Sequence, residues 1–234
     1  MGADKGTMAS GTQILIDGKA VAPRTLYCIG RNFAEHAKEL GNAVPAEPVL
    51  FLKSGASIRG LRPESLGFAD ESFHHEIELV LRVGKNLRAG ASVPEDLITH
   101  VALGLDLTRR KAQTELKAKG LPWTVAKSFA GAAVLGPFLR VSEFGAVGRA
   151  TDETTWSSFA FRLTVNGDVR QQGKATDMIF SVPRLISWLA TFNHFEENDL
   201  IFTGTPPGVA AMRTGDRFEM SFVAPRAFEW PGTL

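Results

Sequence analysis

The chain has 234 residues, 44% hydrophobic and 22% charged, with 26 Lys and Arg against 25 Asp and Glu. That hydrophobic share excludes a disordered chain, and a net charge of +1 is too small for a surface that tracks nucleic-acid phosphates. Cys28 is the only cysteine, so an internal disulfide and a cysteine-rich zinc site are excluded, and no stretch approaches the ~20 apolar residues of a membrane helix.

Residues 1–12 are small and polar, lack an apolar signal core, and read as a flexible arm. Gln13–Ala20 turns at Asp17-Gly18, a hairpin signal. Arg24–Gly30 and Pro48–Lys53 read as apolar strands. Between them Asn32–Leu40 is a short helix stopped by Gly41. Residues 57–72, punctuated by Gly60, Pro63 and Gly67, read as loop. His75–Val83 alternates as a strand does. Pro94–His100 reads as a helical turn, and Val101–Thr108 as a buried strand holding one carboxylate. Arg109–Lys119 is a polar helix closed by Gly120 and Pro122. Val134–Val141, Phe159–Val165 and Asp168–Gln172 are strands, the last two joined across Asn166-Gly167. Ser181 caps a helix with Pro183 in its first turn, running to Phe192. Leu200–Thr203 and Arg217–Phe222 are the last strands. No linker divides residues 13–234, which read as one domain. Many short strands and few helices, without βαβ alternation, give a mainly β fold with some α and exclude a doubly wound sheet. Dinucleotide and P-loop glycine motifs are absent. The expected setting is the cytoplasm, with neither membrane nor nucleic acid as partner.

Glu76 and Glu78 share one face of their strand, where two carboxylates can converge on a cation. The plainer alternative puts Ile77, Leu79 and Leu81 in the core and Glu76, Glu78 and Arg82 in water. Asp106 shifts the balance, because a carboxylate inside an apolar run needs a partner or a metal; capping the next helix is its bland alternative. Together the three acids supply an all-oxygen set suited to Mg²⁺ or Mn²⁺. His36 and Glu39, three apart on a helix, can make a general base or an ordinary surface pair. Lys127 stands among apolar residues, either snorkelling or as a buried cation. Arg110 and Gln113 share a helix face just after Asp106, and Thr205 lies in a turn after an apolar strand. His75 beside the acids can act from behind them, whereas Cys28 reads as core.

Assembled, these segments resemble the fumarylacetoacetate hydrolase family, above all its short acylpyruvase-like branch. The stretches that carry the resemblance are YCIGRNFAEHAKEL from Tyr27, EPVLFLK from Glu47, HEIEL from His75 and ALGLDLTRRKAQ from Ala102. They continue with GLPWTVAKSF from Gly120, NGDVRQQG from Asn166, DMIF from Asp177 and TGTPPGV from Thr203. The resemblance implies metal ligands at Glu76, Glu78 and Asp106. It implies a His36–Glu39 dyad on a lid-like helix, an active-site Lys127, and substrate contacts at Arg110, Gln113, Gln171 and Thr205. It also implies mixed rolled β-sheets, a homodimer and a small 2-oxo or dioxo acid as substrate. Ser54, the small residues after Lys127, and Pro207 depart from the family pattern.

The activity implied is metal-dependent hydrolysis of the C–C bond of an acylpyruvate, giving pyruvate and a carboxylic acid. Oxaloacetate decarboxylation and oxaloacetate keto–enol tautomerisation use the same metal and the same chelate, and stand as alternatives. A non-catalytic dicarboxylate-binding protein is a weaker one, since binding alone needs no base.

Overall fold

Period-two alternation places the centre of the fold. In a computed structural model of the chain, which describes residues 13–39, 41, 43–59, 73–144 and 149–234, each strongly alternating segment is a strand. The arm expected over residues 1–12 and residues 60–72 of the expected loop lie outside the described residues. The first half of the chain contributes β1 (Ile14–Ile16), β2 (Lys19–Val21), β3 (Thr25–Gly30), α1 (Ala34–Glu39), β4 (Val49–Ser54), β5 (Phe73–His74), β6 (Ile77–Val83), β7 (Ile98–Asp106) and α2 (Arg110–Ala118). The second half contributes α3 (Thr124–Lys127), β8 (Ala133–Leu135), β9 (Leu139–Arg140), α4 (Glu153–Ser157), β10 (Ala160–Val165) and β11 (Asp168–Lys174). It ends with α5 (Val182–Ala190), β12 (Leu200–Phe202), β13 (Ala211–Met212), β14 (Arg217–Ala224) and β15 (Phe228–Thr233).

Two sheets dominate. The larger runs β4-β3-β12-β6-β7-β8, with β9 also paired to β7; the smaller runs β11-β10-β14-β15. Every pairing in them is antiparallel except β3 with β12, so the larger sheet is mixed. Two turns fix hairpin register. Asp17-Gly18 and Asn166-Gly167 both hold positive φ at each position, the requirement of a tight hairpin that asparagine, aspartate and glycine meet most easily.

Ile77, Leu79 and Leu81 of β6 pack with Leu103 and Leu105 of β7, Phe161 and Leu163 of β10, and Met220 and Phe222 of β14. Val182, Ile186 and Leu189 of α5 join the same cluster. The alternate residues face a second cluster: Val80 with Ala102, Leu26, Cys28 and Phe202, closed over by Ile14 and Ile16 of the first hairpin. Both faces of β6 are therefore covered, and all seven of its residues are buried. This removes the reading in which Glu78 and Arg82 face water. Cys28 is a core residue, its thiol pushed well up in pKa first by burial and then by the Asp106 charge.

Other differences have simple causes. The turn expected at Pro94–His100 is the entry to a longer β7 that starts at Ile98. The single strand expected over Val134–Val141 splits into β8 and β9, because Gly136-Pro137 interrupts it. Ser181 begins α5, but its hydroxyl donates to Glu153 Oε1 (2.6 Å) and leaves the helix end without a side-chain cap. β15, which contains Pro231 and Gly232, was not among the expected strands. It pairs with β14 alone, and an edge strand tolerates a residue without an N–H.

Candidate metal centre and active site

The register of β6 on β7 assembles the acids. Ile77 pairs with Leu105 and Glu78 with Gly104, and Asp106 N–H donates to the Glu76 carbonyl (2.9 Å). Glu76, Glu78 and Asp106 thus meet across two neighbouring strands, with one oxygen of each within 4.8 Å of the others. All three are buried.

Three cations close on this cluster. Lys127, from the last turn of α3, donates to Glu76 Oε2 (2.7 Å) and Asp106 Oδ2 (2.6 Å). Arg110, at the start of α2, donates through one nitrogen to Glu76 Oε1 and through another to Gln113 Oε1 (2.7 Å). Lys53, the penultimate residue of β4, donates to the carbonyls of Leu107 (3.3 Å), Ala132 (3.0 Å) and Lys127, and its Nζ lies 2.8 Å from Asp106 Oδ1. Lys127 is therefore a buried cation and not a snorkelling one. Lys53 had no assigned role; the signal was a lysine ending an apolar strand near a carboxylate that needed a partner.

The charges divide the acids. Burial alone would raise the Glu76 carboxyl, but Lys127 and Arg110 overcome it and hold the pKa far below the ordinary carboxylate range. Glu78 lacks such a partner, and burial followed by the Asp106 charge pushes it well up. Its hydrogen-bond donor is the backbone N–H of Gly204, 2.7 Å from Oε2.

Gly204 shows why the turn after β12 is built from small residues. Its φ is +104°, and a Cβ there would lie 2.6 Å from the Cβ of Asn32. Asn32 cannot yield, because its side chain donates to the Phe180 and Thr203 carbonyls (3.0 and 2.8 Å) and accepts from Phe180 N–H (2.8 Å). Gly204→Ala is expected to destabilise the fold by about 2 kcal/mol, combining the left-handed backbone with overpacking. Urea unfolding checks this, and a variant as stable as the parent would show that the turn relaxes freely.

His36 and Glu39 of α1 form the expected pair, with Nδ1 3.2 Å from Glu39 Oε2. A carboxylate only accepts, so Nδ1 carries the hydrogen and Nε2 is left as the basic nitrogen. Glu39 is itself held by Gly208 N–H (3.1 and 3.2 Å to its two oxygens). Gln171 and Thr205 sit farther back. The Gln171 carbonyl oxygen accepts from His75 Nδ1 (2.8 Å) and Ile77 N–H (3.0 Å), and its amide donates to Thr205 Oγ1 and the Pro206 carbonyl (both 2.8 Å). All four of its hydrogen-bonding positions are used within the protein, so it braces β6 against the turn after β12. Burial holds His75 below the usual histidine pKa, and it stands behind the acids through Gln171.

His36, Glu76, Arg110, Gln113 and Lys127 line one cavity of about 30 Å³ together with Arg31, Lys117 and Trp123. A larger groove of about 760 Å³ runs along β4 and shares Phe51, Trp123 and Lys127 with that cavity, but His36, Glu76 and Arg110 line only the smaller one.

The residues fit a hard divalent cation. The donors are all carboxylate oxygens, and one of them, Asp106 Oδ1, is buried without a hydrogen-bond donor. Lys53 supplies charge to that oxygen but lies off the line a hydrogen bond requires. Such crowding of acids is stable only around positive charge.

Comparison with known proteins agrees. The pattern of the fumarylacetoacetate (FAA) hydrolase C-terminal family matches residues 25–229. A rat protein named oxaloacetate tautomerase FAHD1, mitochondrial, is 41% identical over 203 residues, covering 84% of this chain and 86% of that protein. A solved structure from Oleispira antarctica superposes with a TM-score of 0.84 at 33% identity, covering 94% of this chain and 98% of that one. Fumarylpyruvate hydrolase from Pseudomonas aeruginosa, solved with Mn²⁺ and pyruvate, superposes at 0.77 with 30% identity, covering 94% of each chain. The family match begins at β3 and ends within β15, taking in the acid cluster and every cation around it, and so the chain belongs to the fumarylacetoacetate hydrolase family.

Proposed function

We propose that the protein is a divalent-metal-dependent enzyme of small 2-oxo acids, interconverting the keto and enol forms of oxaloacetate. One observation supports this reading: His36, oriented by Glu39, lines the same small cavity as Glu76, the acid of the buried cluster that Lys127 and Arg110 hold. Moving a proton within a bound 2-oxo acid needs that much and no more. The relative named oxaloacetate tautomerase supports the same choice.

Glu76, Glu78 and Asp106 would hold Mg²⁺ or Mn²⁺, which when bound polarises the 2-oxo group. Arg110, steadied by Gln113, binds the adjoining carboxylate, and the charge of Lys127 beside it offsets the negative charge gathered there. His36 Nε2 takes the proton from C3 of the keto acid, and Glu39 steadies the imidazolium that results. Lys127 donates a hydrogen bond to the oxygen on which negative charge develops. Uptake of a proton from water by that oxygen, with His36 releasing its own to solvent, completes the enol; in the reverse direction the enol oxygen loses its proton and His36 delivers one to C3. Thr205 and Gln171 act by holding β6 and the turn in place.

Hydrolysis of an acylpyruvate stands second, favoured by the fumarylpyruvate hydrolase neighbour. It uses the same groups but requires His36 to activate water. The proposed partners are the small acid and a second copy of the chain. No helix among the described residues is long and apolar enough to cross a membrane. The cytoplasm is the proposed compartment, although the rat relative's name says mitochondrial.

Enol–keto absorbance of oxaloacetate, followed with Mg²⁺ and with a chelator, tests the reading alongside pyruvate release from acetylpyruvate. The expected result is metal-dependent interconversion that His36→Ala slows roughly 10²- to 10⁴-fold. Interconversion indifferent to both chelator and His36→Ala would sink the proposal. Metal-dependent pyruvate release mainly from acetylpyruvate would move the assignment to the hydrolase.

A further inference from the structure

We propose that Arg31 and Lys117 form a second anion-binding shelf beside the acid cluster, which receives the far carboxylate of the substrate and selects dicarboxylic over monocarboxylic 2-oxo acids. This inference rests on the small-2-oxo-acid reading of the site and names the class of acid.

The two cations are brought together from distant places. Arg31 follows β3 directly and holds φ +59°, a left-handed backbone uncommon for a long side chain. Its neighbour Asn32 has a side chain held by three buried hydrogen bonds. Lys117 lies in the last turn of α2. The Arg31 guanidinium carbon stands 6.0 Å, and the Lys117 ammonium 5.1 Å, from the centre of the same Trp123 ring. All three residues line the cavity that holds His36, Glu76, Arg110 and Lys127.

Charge then decides what the shelf is for. Lys127, Arg110 and Lys53 are each committed to the carboxylates of Glu76 or Asp106. Arg31 and Lys117 have no carboxylate partner among the described residues, and Arg31 Nε is buried without a hydrogen bond. Two cations on one aromatic ring, without a carboxylate partner among the described residues and with Arg110 and Lys127 nearby, repel one another. The π face of Trp123 offsets part of that repulsion. The strain also shows in Lys117, whose ammonium is pushed down in pKa first by burial and then by the charges of Arg31, Arg110 and Lys127. A divalent cation on the acids would add to the positive excess. The carboxylate next to a 2-oxo group answers Arg110 and Lys127, and a second carboxylate is needed to answer Arg31 and Lys117. A monocarboxylic 2-oxo acid leaves that pair uncompensated.

Pyruvate and oxaloacetate differ only by the far carboxylate, so they are the probes. The Mn²⁺-loaded full chain is titrated calorimetrically with each ligand, for the parent, Lys117→Met, Arg31→Met and the conservative Lys117→Arg. The parent is expected to bind oxaloacetate more tightly than pyruvate. Each methionine variant is expected to shrink that preference by about tenfold or more, as loss of a hydrogen bond to a charged group predicts, and Lys117→Arg to keep most of it. A preference unchanged in both methionine variants, or a parent that binds the two ligands equally, overturns the inference and leaves the metal centre standing. Equal weakening of both ligands in the variants also overturns it, since it would mark a purely structural role. A Mn²⁺-loaded parent that binds neither ligand overturns the inference and the reading beneath it together.

Discussion

Asp106→Asn is expected to lower metal-dependent kcat/KM by roughly 10³-fold, the upper end of what one electrostatic contact contributes in an active site. Asp106 is the hub of the cluster. One oxygen accepts from Lys127 (2.6 Å), while the other faces Lys53 (2.8 Å) without a proper donor. The amide keeps the shape but removes the charge, and it turns one acceptor into a donor pointing at an ammonium group. The cation site loses one of its charges, Lys53 loses its carboxylate partner, and Lys127 keeps only Glu76. Kinetics across a Mg²⁺ titration measure the effect, with unfolding run in parallel to separate misfolding from lost chemistry. A folded Asp106→Asn protein within about threefold of the parent would falsify the ligand role.

The largest expected effect on stability belongs to Lys53→Met. The shape of the side chain survives in part, but the ammonium satisfies carbonyls of Leu107, Lys127 and Ala132 and neutralises Asp106, all in a place with almost no solvent. Removing it leaves Asp106 with Lys127 alone and takes a buried donor from three carbonyls, a loss of about 3–5 kcal/mol. Methionine recovers only the burial of its own chain, which the lysine stem already provided, so the unpaired polar groups decide the sign. For a domain of this size the midpoint of thermal unfolding is expected to fall by roughly 10 °C. Differential scanning calorimetry at neutral pH reads this, and a fall of only 1–2 °C would mean that water enters and solvates the three carbonyls.

Much of the fold was legible because its signals are local. The hairpins at Asp17-Gly18 and Asn166-Gly167 follow from what each dipeptide permits, and the strand at β6 from strict alternation. What the alternation could not tell was which faces are covered. Glu78 and Arg82 look like a wet face until Ile14 and Ile16, sixty residues upstream by rough count, close over that side of the sheet. Lys53 was unreadable for a similar reason, since its partners come from β7 and from the segments around α3 and β8. Gln171 was legible as important, but its task was not. A glutamine with four internal bonds and one facing a ligand look alike in sequence. The positive φ of Arg31 is likewise a feature that no periodicity reports.

The single parallel pairing of the larger sheet has a consequence for how the protein is made. Strand β12 lies between β3 and β6, and without it the β3–β4 and β6–β7 pairs are separate pieces. Leu200 pairs with Leu26 from far earlier in the chain, so β12 completes the centre of the sheet late, and Gly204 just beyond supplies the N–H that holds Glu78. Contacts this distant in sequence form slowly, and until they do the faces carrying Leu26, Cys28 and Val80 lie open to other chains. Assembly of the site therefore waits on β12, the strand that joins the β3–β4 pair to the β6–β7 pair.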